Sequence, residues 1–210
     1  MSILDTFRAA AAAGGTVRLP AGTYELNSAV DGPVLLGGEA LTIEGMGPQT
    51  ILKRTANGLA AGRWSSQLTF EAQAGVDCPQ LTFRNLSFDG NARAQPQLID
   101  RSAVTYQYEQ SATLRIQTRP GAKIREVTVS DCTFLDPVAD DLLIGPSNGQ
   151  RGIEEVLAEN LRFGPRQHLR SSIIAGSACG EITIRNIQGD DTGAKSSRIE
   201  TELSNLNPEG

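Results

Sequence analysis

The chain has 210 residues and a net charge of −5 from 24 acidic and 19 basic side chains, with no Lys/Arg cluster, which argues against a nucleic-acid partner. No apolar run approaches the ~20 residues of a membrane-spanning helix, so no membrane span is expected. Aromatic residues make up only 5% of the chain, so the expected core is built from Val, Ile, Leu and Ala, and 22 glycines suggest many turns.

The length is that of one ordinary domain, 1–210. Met1-Ser2-Ile3 lacks the basic and apolar regions of a signal peptide. That leaves open a chain kept in the cytoplasm, one released by lysis, and one whose leader has been removed. Cys78, Cys132 and Cys179 are odd in number and lack metal-ligand spacing. They read as free thiols, two of them buried as small hydrophobes.

A helix is expected over residues 2–13. Ser2 has the position of an N-cap, and Asp5 has the capping-box spacing. Ile3, Leu4, Phe7 and Ala11 share one face, and Gly14 and Gly15 end the helix. Val17 and Leu19 then alternate with polar residues as in a strand, Pro20-Ala21-Gly22 turns, and Thr23 to Leu26 is extended again.

The rest of the chain repeats itself. LTIEGMG (41–47), LTFRNLSFDG (81–90), VTVSDCTF (127–134), VLAENLRF (156–163) and ITIRNIQG (182–189) share one kind of strand, most of them ending in an Asn- or Asp-containing polar pair. A second kind precedes several of them: QLTFEAQ (67–73), TLRIQTR (113–119), DLLIGP (141–146) and SIIAGS (172–177), with RIETEL (198–203) last. Leu114 to Leu142 is 28 residues, Leu142 to Ile173 is 31 and Ile173 to Ile199 is 26. Such periods, with very short strands inside them, point to a solenoid. Each strand would pair with its equivalent one coil away, at about 4.8 Å. The 2–13 helix is then expected to plug the open first coil, because an uncovered strand edge invites aggregation. The last coil reads as incomplete, so a further chain or a homo-oligomer is expected to cover it.

AAAAAGGTVRLPAGTYEL with LTIEGMGPQTILKR resembles the opening of right-handed parallel β-helix proteins of the pectate-lyase-like superfamily. ENLRFGPRQHLRSSIIAGSACGEITIRNI resembles their later coils. The resemblance implies an all-β, single-stranded right-handed parallel β-helix with an N-terminal capping α-helix, and residues 91–112 as a lateral loop. Among activities it implies a carbohydrate-recognising protein of the phage tailspike or adhesin type, binding a surface or acidic polysaccharide with or without cleaving it. The alternatives are a soluble polysaccharide lyase, hydrolase or epimerase, and a structural virion spike or decoration protein without catalysis. The implied setting is extracellular or on a virion, and the tailspike likeness favours a trimer.

Setting Leu142, Ile173 and Ile199 as one inward ladder places Asp140 and Asp141 two coils from Arg198 and Glu200, at about 10 Å by stacking. The order Asp140-Asp141, His168, Arg198 is similar to that of polygalacturonase-type enzymes. The likeness implies an acid/base carboxylate pair, with Arg198 holding a uronate carboxylate. The departures are these: glycines do not flank His168, which sits out of register, Glu200 replaces a lysine, and no third aspartate is found, Asp89 being too far upstream. Asp140 and Asp141 are expected to lie outside the inward ladder, and the plainer reading makes them a solvated turn. Arg170, Glu200, Glu202, Trp64, Tyr106 and Tyr108 complete the expected substrate-binding set. No cofactor or metal is called for. Glu200, Glu202, Asp190 and Asp191 do supply the oxygen donors that Ca²⁺ takes, without a fixed-spacing motif. Asn85 and Asn186 fall at equivalent places and read as a structural ladder or turn.

Overall fold

The computed structural model describes residues 2–27, 31–56, 66–95, 112–138, 140–145, 152–164, 173–175, 179–189 and 199–201. Helix α1 spans Ile3–Ala13. Its capping box is formed as expected: Asp5 N–H donates to Ser2 Oγ at 3.1 Å, and Ser2 N–H donates to Asp5 Oδ2 at 3.1 Å. Leu4, Phe7 and Ala11 are buried, while Ile3 is half-buried. Gly14 and Gly15 both take positive φ, at 77° and 106°, where a side chain would be strained.

The strands are β1 (Gly15–Arg18), β2 (Gly22–Leu26), β3 (Val34–Leu36), β4 (Leu41–Glu44), β5 (Thr50–Arg54), β6 (Leu68–Ala72), β7 (Asp77–Arg84), β8 (Ser87–Asp89) and β9 (Ala112–Thr118). They continue with β10 (Lys123–Ser130), β11 (Thr133–Leu135), β12 (Asp140–Ile144), β13 (Ile153–Glu159), β14 (Arg162–Phe163), β15 (Ile173–Ala175), β16 (Cys179–Arg185), β17 (Gln188–Gly189) and β18 (Ile199–Thr201). They form three six-stranded sheets: β1-β4-β7-β10-β13-β16, β2-β5-β8-β11-β14-β17 and β3-β6-β9-β12-β15-β18. Every pairing is parallel and joins a strand to the one three places on. The fold is therefore mostly β, in three parallel sheets with one N-terminal helix, and is compatible with a parallel β-helix. Helix α1 packs on β1, β2 and β3, the first strand of each sheet.

Each sequence repeat contains three strands, one for each sheet, not two. Each stretch such as LTFRNLSFDG runs through a strand of the first sheet, a corner and a strand of the second. The corner residues are Asn85, Asp131, Asn160 and Asn186, with φ of 56°, 52°, 54° and 54°. Asn and Asp tolerate this left-handed region better than other side chains do. The corners are also tied to one another: Asn186 Nδ2 donates to Asn160 Oδ1 at 3.1 Å, and Asn160 Nδ2 donates to Asp131 Oδ1 at 3.0 Å. The equivalent place in the preceding turn is Gly45, where a Cβ would collide with the Asn85 carbonyl oxygen.

Inward positions stack in ladders. In the first sheet Val17, Ile43, Phe83, Val129, Ala158 and Ile184 fall in register. In the third, Leu68, Leu114, Leu142 and Ile173 do so, and Ile199 pairs in register with Ile173, as their spacing predicts. The expectation of an aliphatic core needs correction, because all six phenylalanines are buried in it. Phe7, Phe70, Phe83, Phe88, Phe134 and Phe163 form one continuous chain of rings with centroids 5.0–6.3 Å apart. Phe88, Phe134 and Phe163 lie in register on successive strands, so their rings stack. A few aromatics suffice because in-register parallel strands bring equivalent rings into contact. All three cysteines are free and buried.

The outer face of the first sheet is charged. Glu44 lies 3.4 Å from Arg18 Nε and 3.2 Å from Arg84 Nε, in the adjacent strands on either side. Such exposed pairs contribute about 0.2–1 kcal/mol each. They oppose like-charge stacking more than they hold the fold together.

Of the expected lateral loop, Ala92–Ala94 is a short 3₁₀ helix and Ala112 opens β9, while 96–111 lies outside the described residues.

Candidate functional site

The outer face of the third sheet carries a second set of polar side chains, apart from those of the first sheet and of the corner ladder. Thr69, Arg115, Leu143, Ile174 and Glu200 fall in one column of register. Leu35, Glu71 and Gln117 form the next column on that face, two residues further along the strands. Successive strand residues alternate between faces, so inward Leu68, Phe70, Leu114 and Ile116 oblige Thr69, Glu71, Arg115 and Gln117 to point outward.

Although it faces outward, Glu71 is only 2% exposed. Oε1 accepts from Gln73 Nε2 at 2.6 Å and lies 3.0 Å from Arg119 Nε. Oε2 accepts from Gln117 Nε2. A buried carboxylate needs this many donors. With both oxygens engaged, Glu71 is an organising group and not a general base. Burial lowers the Arg115 guanidinium below its ordinary value, Glu71 raises it and Arg119 adds to the lowering. Arginine nevertheless stays a cation at neutral pH. A groove of about 280 Å³ opens over these residues, lined by Asp31, Ser66, Thr69, Arg115, Gln117 and Arg119 among others. A larger groove, about 400 Å³, follows the asparagine corner. Its Asn160 and Asn186 amides are engaged within the ladder.

Asp140 and Asp141 begin β12 and are 0% and 1% exposed. The solvated-turn reading is therefore incorrect. Asp140 shares the strand side of inward Leu142, so the expectation that both carboxylates lie outside the ladder does not hold for it. Asp141 shares the side of Leu143 and therefore the outward direction of Arg115. Glu200 is in β18, in the column of Thr69 and Arg115. Trp64, Tyr106, Tyr108, His168, Arg170, Arg198 and Glu202 lie outside the described residues, as do Asp190 and Asp191. In chain order, Trp64 falls between β5 and β6, and Tyr106 and Tyr108 between β8 and β9. His168 and Arg170 fall between β14 and β15, and Arg198 between β17 and β18. Each of these connections leads from the second sheet into the third.

The sequence reading missed Glu71, Arg115, Gln117 and Arg119. The signal was present: carrying the ladder of Leu142, Ile173 and Ile199 back to Leu114 and Leu68 places Arg115 in the column of Glu200, with Glu71 and Gln117 one column over. Among the described residues, no group of three His, Cys, Asp or Glu is placed to hold a metal ion. Among them too, no helix is long and apolar enough to cross a membrane. No protein-family model matches the chain, and neither a curated protein nor a solved structure does.

Proposed function

We propose that this chain is a right-handed parallel β-helix of the pectate-lyase-like, tailspike or adhesin type that binds an acidic polysaccharide along the outer face of its third sheet. The observation that carries the reading is the Arg115 groove beside a Glu71 carboxylate that Arg119, Gln73 and Gln117 hold in place. A flat parallel sheet presents one column of side chains per coil, which suits a long repetitive chain. The connections into the same sheet carry Trp64, Tyr106 and Tyr108, residue types that stack on sugar rings. The protein acts as a homo-oligomer, a trimer on the tailspike likeness, on a virion or outside the cell.

The test is incubation of the full chain with uronate-rich and capsular polysaccharides, following retention on the immobilised glycan, new reducing ends and unsaturated products. Retention is expected. Absence of retention on every polysaccharide tried would refute the reading and favour a structural spike or decoration role.

A second reading, cleavage by a lyase, hydrolase or epimerase, is favoured by one observation: Asp141 projects to the same side of the third sheet as Arg115. New reducing ends that disappear in Asp141→Asn support it. Cleavage unaffected by that substitution would remove Asp141 from the reaction.

A further inference from the structure

The corner between the first and second sheets repeats a polar, an apolar and a second polar residue. Asp131-Cys132-Thr133, Asn160-Leu161-Arg162 and Asn186-Ile187-Gln188 follow this order. The middle residue points inward: Cys132 and Leu161 are buried, and Ile187 packs against the core. Thr133, Arg162 and Gln188 are in register on β11, β14 and β17. The corner groove of about 400 Å³ is lined by both polar sets, with the Gly47-Pro48 turn beside them. Its volume falls in the range of ligand sites, roughly 300–1,000 Å³.

The ladder leaves several of these groups unused. Asn186 and Asn160 each donate one proton along the corner, and the series ends on Asp131 Oδ1. Asn85 holds the next place and is half-buried, yet among the described residues its amide makes no hydrogen bond. The side chains of Thr133, Arg162 and Gln188 make none either, and Arg162 has no ion pair. Asp131 and Arg162 are the only charged residues in the lining, one of each sign, and they do not pair with each other. A ligand therefore gains nothing here from net charge. It gains from groups that both donate and accept, because Asp131 only accepts, Arg162 only donates, and Asn85, Thr133 and Gln188 do both. Two neighbouring hydroxyl groups meet that demand. The corner itself does not need a carboxylate at 131, since Asn85, Asn160 and Asn186 take the same left-handed φ with amides.

We infer that the corner groove is a binding site for a neutral sugar. Its vicinal hydroxyls bridge the Asp131 carboxylate and the Asn85 amide and meet Thr133, Arg162 and Gln188 across the groove. A peptide fits the groove less well. Apart from Pro48 and the buried Cys132, the lining has no apolar side chain. The backbone N–H groups of Asn85, Asp131 and Asn160 already donate to the next strand, so no strand edge is offered. The site is separate from the acidic-glycan reading of the third sheet, and neither depends on the other.

The experiment follows the side-chain amide resonances of the full ¹⁵N-labelled chain, with those of Asn85 and Gln188 assigned from Asn85→Asp and Gln188→Glu. The probes are glucose, galactose and mannose, with glucuronate, N-acetylglycinamide and tetrahydropyran-2-methanol, a ring bearing one hydroxyl, for comparison. At least one hexose is expected to move both signals saturably, and tetrahydropyran-2-methanol to leave them in place. Asp131→Asn keeps an acceptor for Asn160, so the fold should survive. Its affinity for the hexose is expected to fall about tenfold or more, because a hydrogen bond to a charged group is lost. Arg162→Gln, at an exposed position, is expected to weaken binding several-fold. No response to any hexose, an equal response to tetrahydropyran-2-methanol, or an Asp131→Asn variant that binds as tightly as the parent overturns the inference. So does a response to N-acetylglycinamide alone, which would assign the groove to peptide groups, or tighter binding of glucuronate than of the hexoses, which would make it a site for anions. Because polysaccharide retention is measured separately, a failure of the third-sheet reading leaves this outcome to be read by itself.

Discussion

Arg119 Nε lies 3.0 Å from a Glu71 carboxylate whose side chain is 3% exposed, while the arginine itself is 59% exposed. The two ends of this pair therefore respond differently to loss of the partner. Without Glu71, Arg119 returns to water, but the amides of Gln73 and Gln117 lose an acceptor. Glu71→Ala is expected to destabilise by about 1–3 kcal/mol, the cost of unsatisfied polar groups plus lost charge-assisted bonds. Glu71→Gln should cost less, because it keeps an acceptor oxygen. Urea unfolding checks both, and a Glu71→Ala variant as stable as the parent would show that the network is not structural.

The asparagine corner separates backbone strain from hydrogen bonding. Asn160 combines a φ of 54° with bonds to Asp131 and from Asn186. Asn160→Ala loses both and is expected to cost about 1–2 kcal/mol, combining the left-handed penalty with two exposed hydrogen bonds. Asn160→Gly keeps the backbone and loses the bonds, so it should recover roughly half. Asp131→Asn preserves the acceptor for Asn160 and is expected to be neutral or mildly stabilising. Equal losses for Ala and Gly at 160 would mean that the ladder bonds, and not φ, dominate.

Burial pushes the Cys132 thiol up to about 12 and raises Cys78 as well. The native protein is therefore expected not to react with a thiol reagent at pH 8, and to release all three thiols on denaturation. The sign of the linkage follows. The native state keeps the Cys132 proton longer than the unfolded chain does, so its contribution to stability is complete below about 9 and is lost as pH rises towards about 12. Denaturation midpoints at pH 8 and pH 10.5 should fall in that order, and the decline should weaken in Cys132→Ala. Rapid labelling of Cys132 in the native protein would contradict the burial.

Among the described residues, β16, β17 and β18 each pair with one neighbour, so each sheet has an edge there. The inward residues of that coil are less covered than their equivalents: Ile182 and Ile184 are half-buried, while Val156 and Ala158 are buried at 3% and 0%. Parallel edges and apolar surface of this kind pair with another chain. Light scattering at micromolar concentration is expected to show an oligomer, and Ile184→Lys to shift it towards monomer. A monodisperse parental monomer would contradict the expectation.

Much of the fold was legible because in-register parallel strands write the same pattern once per repeat. The Ser2–Asp5 capping box, the Leu114–Leu142–Ile173–Ile199 ladder and the Asn85 and Asn186 corners were all readable from spacing. The third strand of each repeat was not, because a two-residue corner such as Asn160-Leu161 shows in the sequence only as a short polar break within what looks like one strand. The six-phenylalanine chain was missed because composition counts residues without saying that they coincide. At the site, Asp140 and Asp141 read as an acidic pair, yet both are buried and alternation along β12 puts them on opposite sides of the strand. Glu71 and Arg115 were passed over because single charges in short strands look like ordinary solvated positions. Only alignment across coils brings them together.

The central claim is that a glycan lies on the outer face of the third sheet, and side-chain footprinting tests it most directly. The full chain would be oxidised by hydroxyl radicals with and without an acidic polysaccharide, and the modified residues located by mass spectrometry. Protection is predicted in 66–73 and 113–119, which carry Thr69 and Arg115, with the first-sheet face around Thr42 and Thr128 unchanged. Protection confined to the first sheet or to the asparagine corner, or no protection under conditions of demonstrated binding, would contradict it.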